Sequence, residues 1–170
     1  MTQTQSPSEP RTRTFTWDDP FGVDFAAVAK LSGLELIQEM IAGRLPAPPI
    51  MRLMDMESME AQEGRVAVTM RAQEFHYNPL GGVHGGVIAT LLDTAAACSV
   101  HTTLPAGTSY TSLDLTTKFL RPASVASGLL RCEGRVISRG RRTALAEAQL
   151  TDEAGRLIAH ATSTCLIFEL

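Results

Sequence analysis

The chain has 170 residues, the size of one domain, and a composition of 44% hydrophobic and 19% charged residues. These fractions are typical of a folded globular protein and exclude long-range disorder as the main state. The net charge of −3 lacks the basic surplus expected of a general nucleic-acid binder, so we expect no nucleic-acid partner.

The sequence also argues against a membrane span, a secretory signal and a metal site. The long stretch without a charged side chain at residues 75–92 contains Pro79, four glycines and two histidines and does not fit a membrane helix. The first 14 residues lack the apolar segment of a secretory signal. Three widely spaced cysteines and four histidines show no metal-ligand or disulfide pattern. We therefore predict three reduced, buried thiols in a cytoplasmic protein without a metal.

The N-terminal part predicts a tail followed by a helical extension. Residues 1–16 are polar and predict a disordered tail, and residues 17–49 form the extension. Within it, residues 24–43 are predicted to be helical, because apolar side chains recur on one face and Ser32 with Glu35 matches a capping box. This helix could serve as a lid or partner surface, or it could simply cover one edge of the core, which is the interpretation we prefer.

After Pro49 the hydrophobic period changes from helical to alternating. Strands are predicted at residues 66–70, 110–120, 128–138, 142–151 and 156–168, with a turn at 152–155. Ala144, Ala146 and Ala148 share one face of their strand. Because the turns between the later strands are short, consecutive strands should pair antiparallel.

Residues 85–100 interrupt the strand pattern with a segment that is apolar nearly all round. Such a helix is buried on every side rather than lying on a surface. An α+β fold in which a curved antiparallel sheet wraps around this one helix satisfies the order of elements.

The loop at residues 78–86, NPLGGVHGG, leads into the N-terminus of the buried helix. The first N–H groups of a helix lack intrahelical partners and carry the positive end of its dipole. Glycines there allow a ligand to approach the backbone, which suits a phosphate or a developing oxyanion. The alternative is a glycine turn required only for tight packing.

Asp93 lies in the middle of this apolar helix. A buried carboxylate is costly unless it is paired, so Asp93 is either held by backbone donors or serves as a general base or nucleophile, which we favour. Gly85 and Asp93 are separated by about 12 Å at about 1.5 Å per residue. One carbonyl group cannot reach both in the same chain, so joint action predicts two subunits related by a two-fold axis.

Two motifs carry a resemblance to a known family. Asn78-x-x-Gly81-x-x-His84-Gly85-Gly86 followed by Leu91-x-Asp93, together with YTSLDLTTKFLRPA at residues 110–123, resembles the PaaI-type acyl-CoA thioesterases of the hotdog-fold superfamily. The resemblance covers residues 50–170, which we take as the hotdog domain.

The resemblance implies a role for each motif residue. Asp93 matches the catalytic carboxylate, as nucleophile or as the base for water, and Ser112 matches the hydroxyl that holds this water. The N–H of Gly85 matches the oxyanion donor, Asn78 the side chain that orients the thioester, and His84 the histidine that shapes the loop. The family places Asp and Ser on one subunit and Asn and Gly on the other, which implies a homodimer and leaves a tetramer open. The small side chains at residues 94–98 depart from the family pattern in a way that could alter the acyl pocket.

Six arginines against one glutamate give residues 121–142 a local charge of +5. Arginine suits phosphate groups, and coenzyme A supplies them, although a solvated basic turn explains the same charge. The predicted binding residues for coenzyme A are Gly86, Arg121, Arg139, Gly140 and Arg141.

The sequence therefore predicts an acyl-CoA thioesterase that acts on an aryl, arylacetyl or medium-chain substrate with no cofactor beyond coenzyme A itself. The alternative from another class is a non-catalytic acyl-CoA sensor or scaffold. A hotdog dehydratase or hydratase would need a His/Asp or His/Glu pair that the chain does not show. Cys98 and His101 could touch, but packing near a helix end explains them better than a nucleophile does.

Overall fold

A computed structural model describes residues 9–170. Four helices and seven strands follow in chain order, with short 3₁₀ turns at Glu74–His76 and Val125–Ser127. The helices are α1 (Phe25–Val28), α2 (Gly33–Ile41), α3 (Pro49–Leu53) and α4 (Gly85–His101). The strands are β1 (Met56–Gln62), β2 (Arg65–Arg71), β3 (Thr108–Ser112), β4 (Thr116–Phe119), β5 (Leu129–Arg139), β6 (Thr143–Thr151) and β7 (Leu157–Glu169).

All seven strands belong to one antiparallel sheet in the order β1-β2-β5-β6-β7-β3. Strand β4 also pairs with β7, at residues nearer the start of β7 than those that pair with β3. The long helix α4 packs against β2, β5, β6 and β7. This arrangement confirms the predicted α+β hotdog fold, in which the sheet wraps around one central helix.

The contact between α4 and the sheet depends on small side chains. Ala144, Ala146 and Ala148 are buried on the face of β6 that the sequence predicted. A β-carbon on Gly134 of β5 would collide with the carbonyl of Ala95 in α4, so only glycine permits this approach. The helix is therefore held at a fixed position on the sheet, and the residues that it carries are fixed with it.

The strand predictions need two corrections. The single strand predicted at residues 110–120 is wrong, because the chain leaves the ladder between β3 and β4. There the carboxylate of Asp114 accepts a hydrogen bond from the N–H of Thr164 at 3.0 Å, and its carbonyl accepts one from the Ser163 hydroxyl at 2.8 Å. Strand β1 was not predicted, because as an edge strand it buries too few apolar side chains to show alternation.

The continuous helix predicted at residues 24–43 is also wrong, since the structure divides it into α1 and α2. Ser32 caps α2, where its hydroxyl accepts from the Glu35 N–H and the Glu35 carboxylate accepts from the Ser32 N–H. The capping box predicted at these residues is confirmed. It begins a second helix, because the extended backbone of Ser32 cannot continue the first one.

The N-terminal extension is attached to α4 through Gly33. Its N–H donates to the carbonyl of Leu104 at 3.0 Å, and a β-carbon there would collide with the carbonyl of His101. Further upstream, the Arg13 guanidinium donates to the carbonyls of Arg52 and Leu53 at 3.0 and 2.7 Å. The predicted tail, residues 1–16, lies partly outside the described residues, at positions 1–8.

The three cysteines are unpaired, with Cys132 and Cys165 buried. Cys98 is half-buried, because it lines a cavity, so the prediction of three buried thiols is wrong at this position. Every helix between residues 9 and 170 is too short or too polar to cross a membrane.

Candidate active site

The N-terminus of α4 leaves one backbone donor without a partner. His84 is the N-cap, and its Nδ1 atom accepts the N–H of Gly86 at 2.8 Å. The next two N–H groups, of Val87 and Ile88, donate to the His84 carbonyl. Within residues 9–170, no acceptor takes the N–H of Gly85. This donor lies at the positive end of a 17-residue helix and suits an oxyanion.

The side chain of Asn78 lines the same cavity as Gly85, a space of about 350 Å³. Its Oδ1 atom accepts from the N–H groups of Leu80 and Gly82 at 2.9 and 3.3 Å, which fixes the side chain in the loop. Since the oxygen is held in this way, the amide nitrogen is the group that can donate to a ligand.

Phe119 and Arg121 form the opposite wall of this first cavity. A β-carbon on Gly85 would lie 3.2 Å from the Phe119 ring, so glycine leaves the space that a ligand needs beside the helix N-terminus. The Arg121 guanidinium donates to the carbonyl of Leu157 at 2.6 Å, and this bond holds its positive charge at the cavity.

Asp93 and Ser112 form the second half of the candidate site. The hydroxyl of Ser112, at the end of β3, donates to the carboxylate of Asp93 in α4 at 3.1 Å. The sequence analysis expected a buried carboxylate, but Asp93 is half-buried, because it lies on a wall of a second cavity. That cavity has a volume of about 540 Å³ and separates α4 from the N-terminal extension.

The structure does not bring the two halves together within one chain. Asn78, Gly85 and Arg121 line the first cavity, whereas Asp93 lines the second, and no residue lines both. Along α4 the two halves are about 12 Å apart. A single carbonyl group bound to Gly85 is therefore out of reach of the Asp93 carboxylate in the same chain.

Arg139, Gly140 and Arg141 lie on the exposed turn between β5 and β6, outside the lining of both cavities. The turn is closed by the N–H of Gly140, which donates to the carbonyl of Thr143 at 2.8 Å. It adjoins the C-terminal part of β7, since Ile167 donates to the carbonyl of Arg142. No contact found between residues 9 and 170 joins these arginines to Arg121, which bonds to Leu157 at the opposite end of β7.

Sequence reasoning missed the remaining walls of the second cavity. Tyr110, His101 and Cys98 form one end of it, with the rings of His101 and Tyr110 5.1 Å apart. Burial raises the pKa of the Cys98 thiol to about 11 and lowers the pKa of His101. These shifts favour a neutral thiol and a neutral imidazole, so this end of the cavity is polar but uncharged. The only sequence feature that could have pointed to this wall was the three-residue spacing of Cys98 and His101. That spacing indicated that the two side chains could touch, and it did not indicate a cavity.

No cluster of three or more His, Cys, Asp or Glu side chains arranged to hold a metal is found between residues 9 and 170.

Comparisons with known proteins match the part of the chain that carries this site. The family model described as the thioesterase superfamily matches residues 80–159. Human acyl-coenzyme A thioesterase 13 is 30% identical over 107 residues, which are 62% of this chain and 75% of that protein. The 1,4-dihydroxy-2-naphthoyl-CoA hydrolase of Listeria monocytogenes is 26% identical over 102 residues, covering 60% of this chain and 81% of that enzyme.

Among solved structures, a phenylacetic acid degradation-related protein of Ralstonia eutropha superimposes with a TM-score of 0.69 and 33% identity. The match covers 76% of this chain and 97% of that one. The residues that match the family model, 80–159, include α4 and strands β3 to β6 and begin after the N-terminal extension.

Proposed function

Because the chain belongs to the thioesterase superfamily, we propose that it hydrolyses an acyl-CoA thioester to a free acid and coenzyme A. Aryl, arylacetyl and medium-chain acyl groups are the candidate substrates. The observation that carries this proposal is the 3.1 Å hydrogen bond between Ser112 and Asp93. These residues lie on different elements, and Asp93 also lines a largely apolar cavity.

In this proposal the thioester carbonyl binds at the N-terminus of α4. The free N–H of Gly85 donates to the carbonyl oxygen and stabilises the negative charge that develops on it. The Asn78 amide nitrogen, facing the same cavity, orients the thioester. His84 holds the loop by accepting the Gly86 N–H, which leaves the Gly85 N–H directed outward.

Asp93 acts on the carbonyl carbon from the other side, either as a base for water or as a nucleophile. As a base, the carboxylate takes a proton from water that Ser112 positions, and the resulting hydroxide bonds to the carbonyl carbon. The C–S bond then breaks, the sulfur takes a proton, and the products are the acid and the thiol of coenzyme A. As a nucleophile, Asp93 would form an acyl anhydride that water then hydrolyses.

The 12 Å separation along α4 leads us to propose that each site is shared between two protomers. Asp93 and Ser112 come from one protomer, and Asn78 and Gly85 come from its partner. A two-fold axis that sets two α4 helices antiparallel would bring each Asp93 toward a partner's helix N-terminus. We propose a homodimer on this basis, with a dimer of dimers as its possible assembly.

For coenzyme A, we propose that its phosphates bind the basic side chains around this shared site. Arg121 is held at the first cavity, which Gly85 also lines, by its bond to Leu157. We propose Gly86, the next residue of the helix, as a further contact for the coenzyme. The exposed turn with Arg139, Gly140 and Arg141 offers further positive charge for the phosphates of a substrate that lies across two protomers.

We further propose that residues 50–170 form the catalytic domain, that residues 17–49 are an extension to it, and that residues 1–16 are a tail. The three unpaired cysteines favour a cytoplasmic location.

The proposal is tested by measuring thiol release from a panel of acyl-CoA thioesters with the wild type and the Asp93→Asn variant. Asparagine has the same shape but cannot accept the proton, so we expect kcat to fall by about 10²–10⁴-fold with unchanged circular dichroism and oligomeric state. Hydrolysis by Asp93→Asn at the wild-type rate would contradict the proposed mechanism. Binding of the thioesters without hydrolysis by the wild type would indicate an acyl-CoA-binding protein instead.

A further inference from the structure

The second cavity is formed between the catalytic fold and the N-terminal extension. One side is the face of α4 that carries Asp93, Ala97 and His101, which succeed one another by one helical turn. The opposite side is formed by α2, by the proline-rich segment before α3 and by α3 itself. We call this opposite side the roof, defined by Ile37, Met40, Ile41, Ala47, Pro48, Ile50 and Met51.

The cavity follows α4 away from the candidate catalytic carboxylate. From Asp93 to His101 its wall covers eight residues, or about 12 Å of helix. Its volume of about 540 Å³ falls within the range of about 300–1,000 Å³ that is typical of ligand pockets. Ala97, halfway along the wall, keeps the space open because its side chain is a single methyl group.

The lining of the cavity is mostly apolar and flexible, with Arg52 and Glu57 as its charged members besides Asp93. Four methionines contribute to it, two from the roof and two from β1: Met40, Met51, Met56 and Met59. Methionine is unbranched and adapts to irregular apolar shapes, whereas a pocket for an aromatic group is expected to offer rings for stacking. The two rings among the lining residues, those of His101 and Tyr110, already pack against each other, with their centroids 5.1 Å apart.

The hydroxyl groups of Ser58 and Thr94 on the wall are already paired within the chain. Ser58 and Thr69 share a hydrogen bond of 2.7 Å, and the Thr94 hydroxyl donates to the carbonyl of Thr90 at 2.7 Å. These hydroxyl groups therefore do not need a hydrogen-bond partner on a ligand, and the space beyond Asp93 suits a hydrocarbon chain.

We propose that the N-terminal extension forms the roof of the acyl pocket and selects flexible aliphatic acyl chains of medium length over aryl groups. This assignment rests on the proposed function, because it places the acyl chain beyond the carbonyl that Asp93 attacks. The roof lies before residues 80–159, which match the thioesterase family model. Its part up to Pro48 belongs to the extension, and Ile50 and Met51 belong to α3, which joins the extension to the catalytic domain.

The experiment compares Ala47→Phe, which enlarges a side chain that lines the cavity from the roof, with Ala26→Phe as a matched control. Ala26 is exposed on α1 and lines neither cavity. We measure kcat and KM for acetyl-, hexanoyl-, decanoyl- and phenylacetyl-CoA with both variants and the wild type. Met51→Ala, which enlarges the cavity, is measured on the same panel and extended to longer acyl chains.

We expect the wild type to prefer decanoyl- over phenylacetyl- and acetyl-CoA. In Ala47→Phe the ratio of kcat/KM for decanoyl- to acetyl-CoA should fall by about tenfold or more, mainly through KM, because several methylene groups lose their site. Ala26→Phe should keep the wild-type ratio, and Met51→Ala should move the preference to longer chains.

A wild-type preference for phenylacetyl- or acetyl-CoA would overturn the inference. So would equal chain-length profiles for Ala47→Phe and Ala26→Phe, which is the result expected if a second copy of the chain fills the cavity. Calorimetric binding of the same thioesters to Asp93→Asn gives the acyl preference without turnover. Absence of hydrolysis by the wild type would thus contradict the proposed function, while chain-length-dependent binding lost in Ala47→Phe would still support the pocket.

Discussion

The two halves of the candidate site lie on the same helix, but they differ in chemistry. The N-terminal half consists of neutral donors, the Gly85 N–H and the Asn78 amide, held in place by bonds within one loop. The half in the middle of the helix consists of a carboxylate paired with the Ser112 hydroxyl from a distant strand. The first can stabilise charge but cannot take a proton, and the second can take a proton but has no donor for an oxyanion.

This difference supports the proposal that one chain holds two complementary parts of a reaction centre rather than one complete centre. A rigid helix keeps the parts about 12 Å apart along its axis. In the proposed dimer a second copy supplies the missing half, so the sharpest tests are those that separate the halves.

The largest effect is expected when two inactive variants are mixed. Asp93→Asn removes the base and Asn78→Ala removes the orienting amide, so each should be nearly inactive alone. In a mixed dimer one site carries both changes and the other carries neither. After unfolding and refolding of an equal mixture, we expect thiol release to recover to about a quarter of the wild-type rate.

Mixing the wild type with Asp93→Asn in the same way controls for refolding losses. Suppose that the mixture of the two inactive variants releases thiol no faster than either variant alone, while this control regains activity. Each site would then be contained in one chain, and the proposal of a shared site would be contradicted.

A smaller effect is expected from crowding the donor half. In Gly85→Ala the new methyl group meets the Phe119 ring at 3.2 Å and occupies space beside the free N–H. We expect kcat/KM to fall by about 10²-fold with the fold retained, in line with the loss of one oxyanion donor. Gly81→Ala serves as a control in the same loop, and its space is open although its φ of +80° adds strain.

Equal kinetics for Gly85→Ala and the wild type would show that the helix N-terminus is not approached by the thioester. The measurement is a Michaelis–Menten analysis with one acyl-CoA, accompanied by thermal unfolding of each variant.

The smallest effect is expected in the pH dependence of stability. It tests whether His76 supports the loop that carries the donor half of the site. Burial lowers the pKa of His76, whose Nδ1 accepts the Gln73 N–H at 3.1 Å and whose carbonyl accepts the His84 N–H at 2.8 Å. The folded pKa then lies below the unfolded value of about 6.5, so the unfolded chain binds more protons in this range. Stability contributed by neutral His76 is therefore present above about pH 6.5 and lost as the pH falls below it.

We expect the free energy of unfolding, measured in urea at several pH values, to decline from pH 7.5 to 5 in the wild type. The decline should be shallower in His76→Gln, which cannot titrate. An identical pH dependence in both proteins would mean that His76 does not support the loop in this way.

Local patterns were sufficient for much of the fold and for one half of the site. The apolar run at residues 85–100 predicted α4, and the alternation at residues 142–151 predicted the buried alanines of β6. The role of the loop before α4 could be predicted because capping and helix polarity depend on neighbours in sequence. Edge strand β1 and the break after Ser112 could not be predicted, because burial at an edge and the bonds of Asp114 depend on distant strands.

The central helix, the donor at its N-terminus and the distance from that donor to Asp93 could be inferred from residue order, since helix geometry follows from the backbone alone. In contrast, the half-buried position of Asp93, its bond to Ser112 and the cavity between the extension and α4 depend on how the chain packs. Those features are contacts between segments far apart in sequence. They are set by packing and by the close approach at Gly33 and Gly134, which no local pattern encodes.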